Sequence, residues 1–189
     1  MGNRTFILAD GENLVLRYQA SLTADAQKKE GTVHIPDVLV WHPEITMYAK
    51  YAPMNIIRAS YYTTLVGAEL TIEATKKKIA DICFHFIIGR NEWQGSGRLC
   101  PHVFKKERNS QKTKSVDINI TIDALRHTYN DSLDTLFLLS GDGDYIPLIQ
   151  EVMRQGKRVI VGAFSNGLNQ TLLHIADGFL DLDLLMLKK

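Results

Sequence analysis

Short apolar runs alternate with longer stretches of helical periodicity along this chain, and that alternation predicts βαβ units on a parallel sheet. Residues 4–10 read as the first strand, followed by a helix from near Glu12 that carries Leu14, Leu16, Tyr18 and Leu22. The polar stretch 25–31 ends that helix. Residues 31–41 read as an inserted loop, and Pro43 suits the first turn of a short helix ending near Tyr51. Residues 55–64, β-branched and aromatic throughout, form a second strand, 69–81 a helix and 82–88 a third strand. A loop with Gly95, Gly97 and Pro101 and a short strand near Val103 come next. A helix then opens at Asp117, with Ile118, Ile122, Leu125 and Tyr129 on one face. Residues 135–140 are a strand and 145–155 a helix that Gly156 caps in the left-handed conformation. A strand at 157–164, a short helix at 170–176 and an edge strand at 179–184 close the pattern.

No internal repeat, low-complexity tract or linker interrupts this order. The 189 residues therefore read as one α/β domain with a loop insertion around 25–42. The net charge of +1 gives no whole-protein attraction for nucleic acid, so any basic surface is local. Two cysteines, Cys83 and Cys100, are too few for a disulfide framework and lack a metal-ligand spacing. The first residues lead directly into a strand, with neither a signal peptide nor a long apolar span. A cytoplasmic protein with no membrane partner is the expectation.

The chemistry concentrates where strands end in acid. The apolar run 135–139 leads into Ser140-Gly141-Asp142-Gly143-Asp144-Tyr145, and the first strand ends in Asp10-Gly11-Glu12-Asn13. The carboxyl ends of such strands are where open α/β sheets bind ligands. Asp117 lies in the first turn of its helix, where the dipole favours an anion. Taken singly, each acid has an ordinary structural role: Asp144 as a helix cap, Asp142 and Asp10 as turn residues, Asp117 as a dipole partner. Taken together, carboxylates brought from distant parts of the chain to one edge suit Mg²⁺ or Mn²⁺, which prefer oxygen ligands and support phosphodiester hydrolysis. The serines have no neighbouring histidine motif, and the six histidines show no HExxH-like spacing. An aspartyl-phosphate mechanism of the haloacid-dehalogenase type is disfavoured, because Asp10-Gly-Glu-Asn lacks a second aspartate two residues on.

Asp10-Gly-Glu-Asn13, Lys114-Ser-Val-Asp117 and Ser140-Gly-Asp142-Gly-Asp144-Tyr145 with Pro147-Leu148 resemble the NYN domain, a branch of the PIN-like nuclease superfamily. The resemblance continues through Gly156-Lys157-Arg158-Val159 to the closing Ala176-Asp177-Gly178-Phe179, and departs at Ser115, where many members have glycine. It implies a Rossmann-like PIN fold, a mostly parallel central sheet with helices on both faces, and a metal-dependent ribonuclease site. By position, Asp10, Asp117, Asp142 and Asp144 take the catalytic and Mg²⁺- or Mn²⁺-binding roles, while Asn13 orients Asp10 or a metal-bound water. The alternative is a noncatalytic metal- or RNA-binding regulatory module on the same fold.

Residues 105–114 hold five basic side chains and one acid immediately before Asp117. Lys105, Lys106, Arg108, Lys112 and Lys114 are therefore expected to hold the phosphate backbone of single-stranded or structured RNA, with Lys114 nearest the scissile phosphate. Ser140 joins them as a substrate-binding residue, and a homodimer is kept open. Trp93 is a weaker base-stacking candidate. Asp123, Asp177 and Asp183 are second-tier acids, and His127 and His174 read as structural.

Overall fold

The fold comes from a computed structural model that describes residues 3–47, 54–88, 93–106 and 115–188. Six parallel strands form the central sheet: β1 (Asn3–Asp10), β5 (Met54–Leu65), β8 (Cys100–Lys105), β9 (Thr135–Leu139), β10 (Arg158–Ala163) and β11 (Gly178–Asp181). Their order is β11-β10-β9-β1-β5-β8. From β1 the chain winds one way through β5 to β8, and then returns to build β9, β10 and β11 on the other side. This is the doubly wound order, and its reversal between β1 and β9 opens a crevice at their carboxyl ends.

The helices are α1 (Gly11–Thr23), α2 (Glu69–Ala80), α3 (Ser115–Tyr129), α4 (Ile146–Arg154), α5 (Thr171–Ile175) and α6 (Leu182–Met186). Alternation along the strands divides the core in two. Ile7, Ala9, Phe137, Leu139 and Ile160 pack with α1 residues Leu14 and Tyr18 on one face. Leu8, Leu136, Leu138, Val159 and Val161 pack with residues of α3 and α4 on the other. Interior parallel strands are buried on both faces, which explains the near-continuous apolar runs. Arg4 clamps the amino end of the β1–β9 pair, its Nε and Nη2 donating to Asp134 at 3.0 and 2.7 Å. That guanidinium holds the Asp134 carboxyl well below the usual range, at about 2.

Several expectations need correction. The strand expected at 82–88 forms, but it lies outside the central sheet. β6 (Cys83–Ile88) pairs antiparallel with β7 (Trp93–Arg98), so Gly95 and Gly97 lie in a strand rather than a loop. Phe84 and Phe86 are buried while His85 and Ile87 are exposed, the one-sided pattern of a hairpin rather than an interior strand. Their rings lie over Gly97 and Gly95, where added Cβ atoms would come within 2.5 and 2.2 Å. β8, expected only as a short strand near Val103, takes the sheet edge instead.

On α3 the buried stripe is Val116, Ile120, Ala124 and Thr128, whereas Ile118, Ile122 and Tyr129 are exposed. Both stripes have helical spacing. The smaller residues of the first let the helix lie close to the sheet. The edge strand at 179–184 is shorter than expected, and α6 takes over after Asp181. Gly156 ends α4 at φ +72°, as its position predicts.

The segment read as an inserted loop is also structured. β2 (Gln27–Lys28) pairs with β12 (Leu187–Lys188), and β3 (Val33–Ile35) with β4 (Leu39–Trp41). Leu39, Val40 and Trp41 are fully buried and belong to the core on the α1 side. The short helix at Pro43 is a 3₁₀ turn, Pro43–Ile45, and the rest of its expected span falls outside the described residues. A dispensable insertion would tolerate truncation of these side chains. Trp41→Ala is instead expected to destabilise the protein by about 3–5 kcal/mol, read as a lower denaturant midpoint.

Candidate active site

Asp10 ends β1 and its side chain starts α1, with Oδ1 accepting the Asn13 backbone N–H at 3.1 Å. Gly11 allows this entry because a Cβ there would meet Tyr61 at 2.4 Å and the Tyr62 carbonyl oxygen at 2.6 Å. The other carboxylate oxygen, Oδ2, accepts Ser140 Oγ–H at 3.0 Å from across the strand reversal. Ser140 Oγ in turn accepts the Asp142 N–H at 3.2 Å. Ser140 is fully buried, and these two bonds tie the turn after β9 to Asp10.

Tyr145 completes the site from below. Its ring is buried, and its hydroxyl lies 3.1 Å from Asp117 Oδ1 and 3.4 Å from Asp10 Oδ2. A phenol has one proton to donate, so the two carboxylates compete for it. Burial, then the charges of Asp10 and Asp117, push the Tyr145 phenol far above its ordinary pKa, with a smaller push from Asp142. Tyr145 thus remains a neutral hydroxyl.

Asp10 is only 3% exposed, and burial raises its carboxyl to about 7. The hydrogen bonds from Asn13 and Ser140 oppose that rise, and the charges of Asp117 and Glu12 add to it. Asp10 has no cationic partner among the described residues. A buried carboxylate in this state either binds a proton or is neutralised by a bound cation.

The structure brings Asp10, Asp117 and Ser140 together, with Asp142 half-buried beside them. Asp142 caps the 3₁₀ turn Gly143–Tyr145, its Oδ1 accepting the Asp144 N–H at 3.0 Å. The cap is therefore Asp142 and not Asp144, whose side chain is exposed. Asn13 Oδ1 accepts the Gly141 N–H at 3.2 Å, so the side chain holds the β9 turn rather than the Asp10 carboxylate. Among the second-tier acids, Asp123 is engaged by Tyr62 and Arg126, and Asp177 by the Val159 N–H. Asp183 accepts from Ser165. His127 bonds Ser132 and packs on Phe6, a structural position.

On the β8 side, Lys105 is exposed at the strand's carboxyl end, and Lys106 Nζ lies 3.9 Å from Glu12 Oε1. Thr64 donates to that same oxygen. Arg108, Lys112 and Lys114 lie outside the described residues. Sequence reasoning missed the roles of Tyr145, Glu12 and Thr64. Tyr145 had a signal, since a tyrosine at the foot of an acidic turn needs a hydroxyl partner when buried.

Among the described residues, no group of three His, Cys, Asp or Glu side chains stands at metal-ligating spacing. The donors therefore do not fit an all-protein cage. They do fit an ion that keeps most of its water, since Mg²⁺ is usually held by only one or two carboxylates. Asp10 and Asp117 face one phenol from two sides.

The raised Asp10 value sets a pH dependence. A carboxyl whose folded pKa exceeds its unfolded value contributes stability that is complete below the ordinary 3.8 and lost as pH rises through about 7. At about 1.4 kcal/mol per pH decade, the ceiling on that loss is about 4 kcal/mol. Asp10→Asn keeps an acceptor for the Asn13 N–H but removes the titration. Urea melts in EDTA across this pH range should show a steeper fall in stability for wild type than for Asp10→Asn.

The NYN domain model matches residues 4–183. The uncharacterised protein MJ0482 of Methanocaldococcus jannaschii is 34% identical over 62 residues, which are 33% of this chain and 26% of that protein. The match thus spans about a quarter of that relative's length. The crystal structure of VPA0982, a protein of unknown function from Vibrio parahaemolyticus, superposes with a TM-score of 0.61 at 17% identity, covering 99% of this chain and 97% of that one. This second likeness establishes a shared fold. No helix among the described residues is long and apolar enough to cross a membrane. The family match covers nearly the whole chain, including every acid of the crevice, and the chain belongs to the NYN domain family, a PIN-like nuclease family.

Proposed function

We propose that this domain is a Mg²⁺- or Mn²⁺-dependent endoribonuclease acting on single-stranded or structured RNA. The observation that carries the proposal is the buried Asp10 carboxyl at the strand reversal, raised to about 7 and sharing one phenol with Asp117. Asp10 and Asp117 would hold the ion, with Asp142 beside them. A divalent ion supplies charge to polarise a phosphodiester and acidify water.

The chain's own groups do the positioning. Ser140 fixes Asp10 Oδ2, and the Asn13 N–H fixes Oδ1, so the carboxylate is oriented before substrate arrives. Asn13 Oδ1 holds the β9 turn in place at Gly141. Tyr145 OH spans Asp10 and Asp117 and keeps the gap between them filled from the buried side. Asp142 commits Oδ1 to its own turn and leaves Oδ2 available. Lys105 and Lys106 would hold backbone phosphates at the β8 side, joined by Arg108, Lys112 and Lys114 from the segment that follows. Free Cys83 and Cys100 are compatible with the reducing, cytoplasmic setting that belongs to the same proposal.

Asp10→Asn and Asp117→Asn are expected to abolish Mn²⁺-stimulated RNA cleavage without unfolding the protein. Asp144→Asn, altering an exposed side chain, should have the smaller effect. Gel assays of labelled RNA in Mn²⁺ and in EDTA measure this, and equal cleavage in EDTA would refute the mechanism. That no three-ligand group stands among the described residues favours one competing reading, a noncatalytic RNA-binding module. RNA binding without metal-stimulated cleavage by any preparation would select it.

Metal affinity gives a separate test. Asp10 must lose its proton before it can bind a cation, so Mn²⁺ should release protons and bind more tightly as pH rises through about 7. Calorimetry in buffers of different ionisation enthalpy reads this, and Asp10→Asn should lose both the proton release and most of the affinity.

A further inference from the structure

Arg17 sits on α1 one turn beyond Asn13, so the two side chains share a helix face. Its guanidinium lies against residue 167 in the loop after β10. Gly167 has φ +77°, and a Cβ there would lie 2.2 Å from Arg17 Cζ and 2.4 Å from Nη1. Only glycine lets the guanidinium approach so closely. The same loop packs on the acidic turn: Asn169 N–H donates to the Gly141 carbonyl at 3.0 Å, and a Cβ on Gly141 would meet Leu168 Cα at 3.3 Å. Arg17 is thereby held beside the Asp10 crevice, above β9 and β10, on the flank opposite Lys105 and Lys106.

Arg17 is the arginine whose Nε is buried without a hydrogen bond among the described residues, and no carboxylate among them lies within salt-bridge distance of it. By contrast, the guanidinium of Arg4 is paired with a carboxylate. A half-buried guanidinium carries five donors in a rigid fork that matches phosphate oxygens. Charge-assisted bonds from such a fork to an oxyanion are stronger than bonds between neutral groups, so a phosphate reaching the Nη groups would gain both charge and geometry.

We propose that Arg17, packed on Gly167, is a phosphate-binding site for the RNA backbone on the β10 side of the crevice. The RNA would then cross the carboxyl edge of the sheet, held by Arg17 on one flank and by Lys105 and Lys106 on the other. This inference rests on the ribonuclease reading for its ligand, but not on catalysis.

The test measures binding of a labelled single-stranded RNA in EDTA, across a salt series and for two unrelated sequences. Arg17→Gln should weaken binding about tenfold, equally for both sequences, and reduce the salt slope by about 0.7. Arg17→Lys should keep the slope and lose part of the affinity, because the charge remains and the fork does not. Thermal melts of each variant accompany the binding data, and Arg17→Lys keeps the test open if Arg17→Gln fails to fold.

An unchanged dissociation constant and slope in both variants would overturn the proposal. A lower melting temperature with unchanged binding would do the same, and would assign Arg17 to an ion pair within the fold, for instance with Asp183, whose Oδ1 is likewise buried and unpartnered. Inorganic phosphate that displaces RNA more strongly than chloride at equal ionic strength, only while Arg17 is present, would reassign the site to a free anion. Wild type that binds no RNA also overturns it. Wild type that binds RNA but never cleaves it defeats the catalytic proposal and leaves this one standing.

Discussion

Burial of the Asp10 carboxyl is the constraint around which the rest of the site is organised. Placing a carboxylate at the end of a fully buried strand is unfavourable unless hydrogen bonds, a proton or a cation compensate. Here the first of these comes from Asn13 and Ser140, one on each side of the strand reversal. Because Ser140 directly follows β9, its bond to Asp10 also fixes how the two halves of the sheet meet. The turn that presents Asp142 is held by the same serine, through the Asp142 N–H.

The two ends of the β1–β9 pair are electrostatic opposites. At the amino end Arg4 and Asp134 neutralise each other, and the carboxyl is held at about 2. At the carboxyl end Asp10 has no such partner among the described residues and is raised to about 7 by burial, beside a second carboxylate. An ion pair closes the first end, while the second leaves a buried carboxyl without a cationic partner among the described residues. Tyr145 is central to the second arrangement, because a neutral hydroxyl spans two acids where a third charge would raise the repulsion.

Much of the fold was legible in the sequence, for specific reasons. Strands β1, β9 and β10 are buried on both faces along most of their length and write that condition as apolar runs. Glycines and acids at their ends marked the crevice, and Gly156 marked the end of α4. The hairpin β6–β7 was not legible as such, because an apolar stretch of strand length does not state its partner. What distinguishes it is the exposure of His85 and Ile87, and the seating of Phe84 and Phe86 over glycines of the following strand. On α3 two stripes obeyed the helical period, and hydrophobicity favoured the one that solvent contacts. Close approach to the sheet selected the smaller side chains instead. Trp41 was hidden by the polar sequence before it, which suggested a loop where the chain returns to the core.

For the site, the sequence by itself determined which acids could meet. Asp10 and Asp142 follow strands whose apolar runs make them interior and parallel, and Asp117 opens a helix, so all three belong to strand ends or helix starts by local chemistry. Their grouping follows from a strand order that local sequence does not encode, since it depends on which strand pairs with which. Only the tertiary structure decided that β9 lies beside β1, that Ser140 thereby reaches Asp10, and that Tyr145 stands between Asp10 and Asp117. The same is true of Arg17. Its position on α1 is a matter of helical period, but its contact with Gly167 joins segments 150 residues apart, and such contacts are settled by how the whole chain packs rather than by the residues that flank either one.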